Sequence, residues 1–525
     1  MTLLDSHNGA PTRYDLGAHS FPGYGEGAPL ELPSTPDVQA SILSRFLDGT
    51  HHALSDALVS VGNCARPIRL TGSSATVDAA TGEVVSSFSS ADAPLGELLV
   101  PCGNRRAHVC PACSRVYARD TFELVRAGVV GGKTIPASVA QSPLLFVTLT
   151  APSFGLVHGV REKGKRCRPR SSDRVETCPH GVRLACQRVH DEDDPTVGAP
   201  LCSECYDWTS AVVWQWHAPA LWSRTTTYLR RALADRLGVP RSRLREVAAV
   251  QFAKVAEYQA RGLVHFHAMI RLDGPDGPGS TPPLTGDDLA AVVRDVIPTV
   301  TVTAPPAWET DTPRVLAWGA QVDVRTITNG PADLRSSDEL SAEQVAGYLA
   351  KYATKDVTNV KGDNLHSRPQ LARMRQTCDE LHAIAVTRAE HRRAGQPSVV
   401  QVDGHGRDPY ALLGQRAHML GFRGHFSTKS RRYSVTLGRL RRARQRFQRL
   451  TAQAQREGRP LDTRDLERRL LADDEDETTL VIGSWVYAGT GWPRPGDAAL
   501  ATAAAARARE YDLWRVARRK TTTTH

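Results

Sequence analysis

The run Glu257-Tyr-Gln-Ala-Arg-Gly-Leu-Val-His265-Phe-His267-Ala-Met-Ile-Arg-Leu272 constrains the fold more than any other stretch of the chain. Val247 to Ala256 before it is apolar and rich in β-formers, and the chain after it alternates through Phe266, Met269, Ile270 and Leu272. Two strands joined at Ala260-Arg261-Gly262 are therefore predicted to form a β-hairpin, with Gly262 taking the positive φ of a three-residue loop. In that register Glu257 stands opposite His265. Residues two apart share a strand face, so His265 and His267 point the same way, with Glu257 across from them. Two imidazoles and a carboxylate on one face outline a divalent-metal site. The competing reading is the polar outer face of a surface hairpin.

A second stretch lies downstream. Ser341-Ala-Glu-Gln344 has the pattern of a capping box, and the helix it opens carries Gly347-Tyr348-Leu-Ala-Lys351-Tyr352-Ala-Thr-Lys355. Tyr348 and Tyr352 are four apart and share one helical face, with Lys351 and Lys355 beside them. Val345, Tyr348, Leu349 and Tyr352 also fit an ordinary apolar stripe that packs on a core.

Taken together, Glu-x-Gln-x-Arg-Gly-x-x-His-x-His followed by Tyr-x-x-Lys-Tyr resembles the two-tyrosine HUH endonucleases that initiate rolling-circle replication. Leu144-Leu-Phe-Val-Thr-Leu-Thr150 matches the first motif of that family, and the three motifs occur in the family's order over residues 144–356. The Cys-rich insert, the Arg-Leu-Asp-Gly ending at Gly274 and the Gly-Phe-Arg-Gly-His-Phe of residues 421–426 resemble replication initiators of actinomycete plasmids and integrative conjugative elements. The resemblance implies that His265, His267 and a third ligand hold Mg²⁺ or Mn²⁺ at a scissile phosphate. Glu257 is the third ligand by register, and Gln259 on the same strand face is the runner-up. Tyr348 and Tyr352 would alternate as nucleophiles, and Lys351 and Lys355 would lower the phenol pKa or neutralise the phosphorane. The products would be a 5′-phosphotyrosine link and a 3′-hydroxyl primer, with later rejoining of the strand. Origin DNA of the chain's own element is the implied partner, with a host polymerase. No Walker A sequence is present, so unwinding would fall to a host helicase.

Ten cysteines occur in the chain, and nine fall between Cys64 and Cys205. No apolar run reaches the roughly 18–20 residues that a membrane helix needs, and the N-terminus lacks a signal-peptide pattern, so a cytoplasmic protein without membrane partners is expected. Thiols there stay reduced, and structural Zn²⁺, one ion or two, explains the cysteines better than disulfides. Cys110-Pro-Ala-Cys113 and Cys202-Ser-Glu-Cys205 are C-x-x-C knuckles. One solution groups Cys64, Cys102, Cys110 and Cys113, with polar hairpins between Gly72 and Ser87. A second site then joins Cys202 and Cys205 to two of Cys178, His180, Cys186 and His190. The alternative joins the two knuckles directly.

The remaining periodicities complete the outline. Pro143–Thr150 is an apolar strand, Thr209–Leu237 a helix, Asp287–Val296 a short helix and Ala320–Ile327 a strand. With the hairpin and the tyrosine helix the order is β-α-β-β-α-β-α. That order predicts an α+β chain with a ferredoxin-like, split βαβ core, which is the fold the HUH resemblance also implies. The expected division is a flexible leader over 1–45, a zinc-ribbon-like module over 46–140, and the HUH core over 141–358 with a Cys/His-rich zinc insert at 155–207. A basic, mainly helical region would occupy 359–525.

Lys+Arg exceed Asp+Glu by 66 − 56 = 10, which suits a polyanionic partner. Between Tyr410 and Leu450 eleven basic residues occur with no Asp or Glu among them. Arg423, Lys429, Arg431, Arg432, Arg439, Arg441 and Arg442 are the candidate DNA contacts. Phe422, Phe426 and Tyr433 interleave with them as on a surface that stacks bases. A solvated basic helix is the plainer reading. Asp473 to Glu477 is predicted to be an acidic linker, Trp485–Trp492 a Gly- and aromatic-rich turn region, and Ala498–Arg519 a helix. Two rival functions remain: a two-tyrosine transposase with the same chemistry, and a zinc-containing DNA-binding regulator that does not cleave.

Overall fold

The structure is a computed structural model and describes residues 32–33, 35–93, 95–162, 164–170, 176–191, 193–327, 342–353, 368–472 and 479–522. In chain order the elements begin with α1 (Pro36–Leu47), α2 (His51–Ser60), β1 (Ile68–Asp78), β2 (Val84–Ser89), β3 (Leu98–Val100) and α3 (Pro111–Val130). Next come β4 (Leu144–Leu149), α4 (Trp208–Arg236), β5 (Ala249–Tyr258), β6 (Val264–Asp273), α5 (Gly286–Val296), β7 (Thr301–Ala304), β8 (Arg314–Ala317) and β9 (Val322–Thr326). Then follow α6 (Ala342–Ala353), α7 (Pro369–Arg393), β10 (Ser427–Lys429), α8 (Leu437–Arg456), α9 (Leu466–Leu470), β11 (Thr479–Thr490) and α10 (Pro495–Thr522). Among the described residues no helix is long and apolar enough to cross a membrane.

Two compact units result, one running to Asp120 and resuming at Arg442, the other spanning Thr121–Arg441. In the first, β11 pairs antiparallel with β1 along its whole length, from Ile68↔Thr490 to Asp78↔Thr479. The segment Trp485–Trp492, predicted as a turn region, is thus largely strand. Leu480, Val481, Ile482, Val486 and Tyr487 supply β-formers, and the glycines sit where neighbours crowd the backbone. A Cβ on Gly483 would meet the Trp485 indole at 2.8 Å, and one on Gly489 the Arg69 guanidinium at 2.4 Å. Buried Arg45 on α1 forms a two-bond ion pair with Asp497 on α10, at 3.1 and 2.6 Å. The ends of the chain therefore share one unit, an arrangement that no local pattern announces.

In the second unit β10-β5-β6-β4-β9 form an antiparallel sheet. One face carries Leu145, Val147, Leu149, Phe266, Ala268 and Ile270, buried beneath α4 and α5 in the main core with Trp214, Leu221 and Leu289. α4 starts where the Asp207 side chain accepts from Ser210 N, and α5 starts from a Thr285/Asp288 capping box. Gln215 of α4 is fully buried and pins the hairpin turn: its Nε2 donates to Gly262 O at 3.1 Å and its Oε1 accepts from Val264 N at 2.9 Å. Gly262 has φ +85°, and a Cβ there would meet Met374 Sδ at 2.6 Å. Turn and helix packing both require glycine at this position.

Candidate metal centre and tyrosine helix

The opposite face of the sheet holds the site. Strand pairing places Glu257 across from His265, Val255 across from His267, and Thr148 of β4 on the other side of His267. His265 Nε2 lies 3.0 Å and His267 Nε2 3.3 Å from Glu257 Oε2, and the two imidazole nitrogens are 3.1 Å apart. Three donor atoms of the kinds that ligate divalent cations therefore converge within 4.8 Å. Burial holds the His267 imidazole below its ordinary value, with Glu257 pulling the other way. Glu257 and His265 are only half-buried, so the centre opens to solvent on their side. Gln259 is not in the cluster: its Oε1 accepts from Arg261 Nε at 2.9 Å. The Arg261 guanidinium also donates to Pro152 O and Ala151 O, both at 2.8 Å, tying the hairpin turn to the end of β4.

α6 lies over this face. Val345, Ala346, Leu349 and Ala350 are buried beneath it, while the Tyr348 hydroxyl stands 3.2 Å from His267 Nε2. Phe146 stacks on His267 with ring centroids 5.6 Å apart and meets Tyr348 edge-on at 5.9 Å, which fixes the space between helix and sheet. Tyr352 and Lys351 fall on the last turn of α6, but their side chains lie outside the described residues, as do Ser341 and Lys355 entirely. Thr148 and Phe146 escaped the sequence analysis. Their only signal was the two-residue alternation of the Leu144–Thr150 strand, which puts both on one face; the pairing with β6 makes it the histidine face.

Nine of the ten cysteines gather in three places. Cys64, Cys102, Cys110 and Cys113 converge as one sequence solution grouped them, and of the four partners offered for Cys202 and Cys205 it is Cys178 and His180 that lie beside them. Each knuckle falls in a different group. Cys64 and Cys110 Sγ are 3.7 Å apart, and mutual hydrogen bonding holds the Cys110 thiol well below and Cys113 well above the ordinary thiol range. Cys186 and His190, offered from sequence as ligands with Cys202 and Cys205, lie instead with His158 and Cys167. Neither of those two stands in a C-x-x-C pair, so spacing alone could not recruit them.

With this geometry in hand, comparison with known proteins is direct. The family model RepSA, described as replication initiator protein, pSAM2, matches residues 50–506. This chain belongs to that family of replication initiators. A replication initiator protein of Streptomyces ambofaciens is 40% identical over 454 residues, which cover 85% of this chain and 88% of the relative. No solved structure matches the chain.

The basic region of this family member divides into two kinds of residue. Arg423 lies over the Trp216 ring at 4.5 Å and donates to Trp216 O. Lys429 Nζ donates to the carbonyls of Ser430, Arg431 and Ser434, and burial lowers its pKa to about 8. Both contact the fold through these bonds, and Arg423 is nonetheless exposed. Arg431 and Arg432 are exposed and, with Arg439, line a cavity of about 410 Å³ beside Thr134 and Pro278. Arg441 and Arg442 follow on α8. The interleaved aromatics do not form a stacking surface. Phe422, Phe426 and Tyr433 are buried, with Phe422 edge-on to Phe266 and Phe426, because their core-facing positions alternate with outward-facing basic ones.

Proposed function

We propose that this replication initiator binds the origin DNA of its own element and nicks one strand at the Glu257/His265/His267 centre, as an HUH endonuclease of rolling-circle replication. The observation that carries the reading is the Tyr348 hydroxyl at 3.2 Å from His267 Nε2. The strand order β5-β6-β4-β9, with α4 and α5 on one face, supports a split βαβ core. Attack by a tyrosine oxygen forms a bond to the scissile phosphorus and breaks the bond to O3′. The departing O3′ takes up a proton, leaving a 3′-hydroxyl that a host polymerase extends and a 5′-phosphotyrosine that conserves the phosphodiester. Reversal of the step by a new 3′-hydroxyl rejoins the strand, and Tyr352, one helical turn on, provides a second nucleophile. A phenol titrates near pH ~10, so the tyrosine needs a proton acceptor or positive charge, the role of Lys351 and Lys355. Mg²⁺ or Mn²⁺ held by Glu257, His265 and His267 would supply Lewis acidity at the phosphate. Zn²⁺ in the Cys64/Cys102/Cys110/Cys113 and Cys178/His180/Cys202/Cys205 clusters would brace the fold.

The test is a covalent-adduct assay on supercoiled DNA of the element with Mg²⁺ or Mn²⁺, resolved on a denaturing gel. A metal-dependent protein–DNA adduct is expected from wild type, absent in His267→Ala and in Tyr348→Phe/Tyr352→Phe, with the single Tyr variants assigning the nucleophiles. Tight binding without any adduct would leave a DNA-binding regulator. Adducts at the element's ends would point to a transposase.

A further inference from the structure

Four side chains in the loop between β4 and α4 have no part in the chemistry above. His158 Nδ1 lies 3.2 Å from His190 Nε2, and Cys186 Sγ lies 3.4 Å from the same nitrogen. Cys167 completes the group, whose ligand atoms all lie within 4.8 Å of one another, and Cys167, Cys186 and His190 are buried. Zinc bonds of about 2.0–2.1 Å to nitrogen and about 2.3 Å to sulfur give tetrahedron edges near ~3.3 Å between two nitrogens and ~3.6 Å between nitrogen and sulfur. The two separations, 3.2 and 3.4 Å, lie close to those edges.

The surroundings of the cluster are those of a metal site. Asp194 Oδ2 lies 2.6 Å from His190 Nδ1, while Asp194 Oδ1 accepts from Thr196 N and Thr196 Oγ1. A carboxylate on Nδ1 keeps the proton there and turns the Nε2 lone pair toward the cluster. Gly159 N donates to Cys167 Sγ at 3.3 Å, which orients the sulfur within the cluster.

The order of ligands along the chain adds a second point. His158 and Cys167 come first, then Cys178 and His180 of the neighbouring cluster, then Cys186 and His190, then Cys202 and Cys205. The two sets interleave pair by pair. Backbone pairing shows how: Arg168 and Cys186 exchange hydrogen bonds at the base of a hairpin. Cys178 turns at its tip, where Gly181 N donates to Cys178 O. We propose that His158, Cys167, Cys186 and His190 form a further structural zinc site, and that it and the Cys178/His180/Cys202/Cys205 site lock the insert into one cross-braced module.

That module is seated at the metal-centre hairpin. Gly198, at φ +89°, approaches the turn so closely that a Cβ would stand 2.3 Å from Ala260 C and O. Gln370 Nε2 bridges Val197 O and Ala260 O, each at 3.4 Å. The cross-brace thus holds the chain segment against which the β5–β6 turn rests.

Metal content tests the proposal independently of nicking. Full-length protein washed with EDTA, which strips the open His/Glu centre, should retain three zinc ions by elemental analysis, one for each cysteine-containing cluster. Cys110→Ser should retain two. Cys186→Ser should retain one, because opening one half of a cross-brace releases the other, and Cys186→His should restore the count. Wild-type protein holding only two ions would overturn the site, a result that no folding defect in a variant can mimic. Cys186→Ser retaining two would overturn the interlocking.

Discussion

Thr148 Oγ1 lies 3.0 Å from His267 Nδ1, across the β4–β6 pairing that sets these two residues side by side. With Nδ1 protonated and donating to the hydroxyl, Nε2 carries the lone pair toward Glu257, His265 and the Tyr348 hydroxyl. Outer partners of this kind are worth about 10–100-fold in metal affinity. Thr148→Val keeps the shape and removes the acceptor, so Mn²⁺ affinity measured by titration calorimetry should fall about 10-fold. An unchanged affinity would mean that packing by Phe146 alone orients the ring.

Lys254 gives the second prediction. It is buried on the α4 side of the sheet, its ammonium 4.2 Å from the Phe266 ring centroid and donating to His425 O at 3.1 Å. Burial lowers its pKa from 10.5 to about 7. Between those values the unfolded chain holds more protons than the folded one, so stability rises with pH across that window. The penalty is complete below about pH 7. Lys254→Met should therefore be more stable than wild type by about 1–3 kcal/mol at pH 6. The gap should narrow toward pH 10 in urea unfolding, and parallel profiles would show that the lysine does not titrate in this window.

How legible the site was depended on the range of the contacts. The hairpin register, the facing of Glu257, His265 and His267, and the positive φ at Gly262 follow from neighbours along the chain, and the structure carries them as predicted. Thr148 and Phe146 reach the site through a strand more than a hundred residues away, and only the pairing of β4 with β6 reveals their role. The same holds for β11, whose partner β1 stands at the other end of the chain. Alternation was visible in Phe422, Phe426 and Tyr433, but it does not say which face meets the core. Here the aromatics went inward and the arginines outward.

That sorting predicts opposite effects from the inward aromatics and the outward arginines. Phe422→Ala should cost about 3–5 kcal/mol of stability and leave the salt dependence of DNA binding unchanged in the folded protein. Arg431→Ala with Arg441→Ala, both exposed, should leave the melting temperature nearly unmoved. Each lost phosphate contact lowers the slope of log Kd against log salt by about 1, so the double variant should flatten it by about 2. Anisotropy titrations over a salt series read this directly, and an unaltered slope would place the DNA elsewhere.

The hairpin turn favours Glu257 over Gln259 as third ligand of the proposed metal centre. Sequence register admits both Glu257 and Gln259, since both lie on one strand face. In the fold Gln259 Oε1 is held by Arg261 Nε, and the same guanidinium is anchored on Ala151 O and Pro152 O. Rotating Gln259 toward the histidines would leave a half-buried arginine nitrogen without its acceptor, a cost of about 1 kcal/mol. Glu257 is already in place, its Oε2 within 3.3 Å of both imidazoles. Glu257→Gln should therefore lower Mn²⁺ affinity by at least 10-fold, because an anionic oxygen gives way to a neutral one. Gln259→Ala should bind Mn²⁺ like wild type and lose only some stability of the turn. Calorimetry on the two variants separates the cases: normal binding by Glu257→Gln with weakened binding by Gln259→Ala would transfer the ligand role to Gln259.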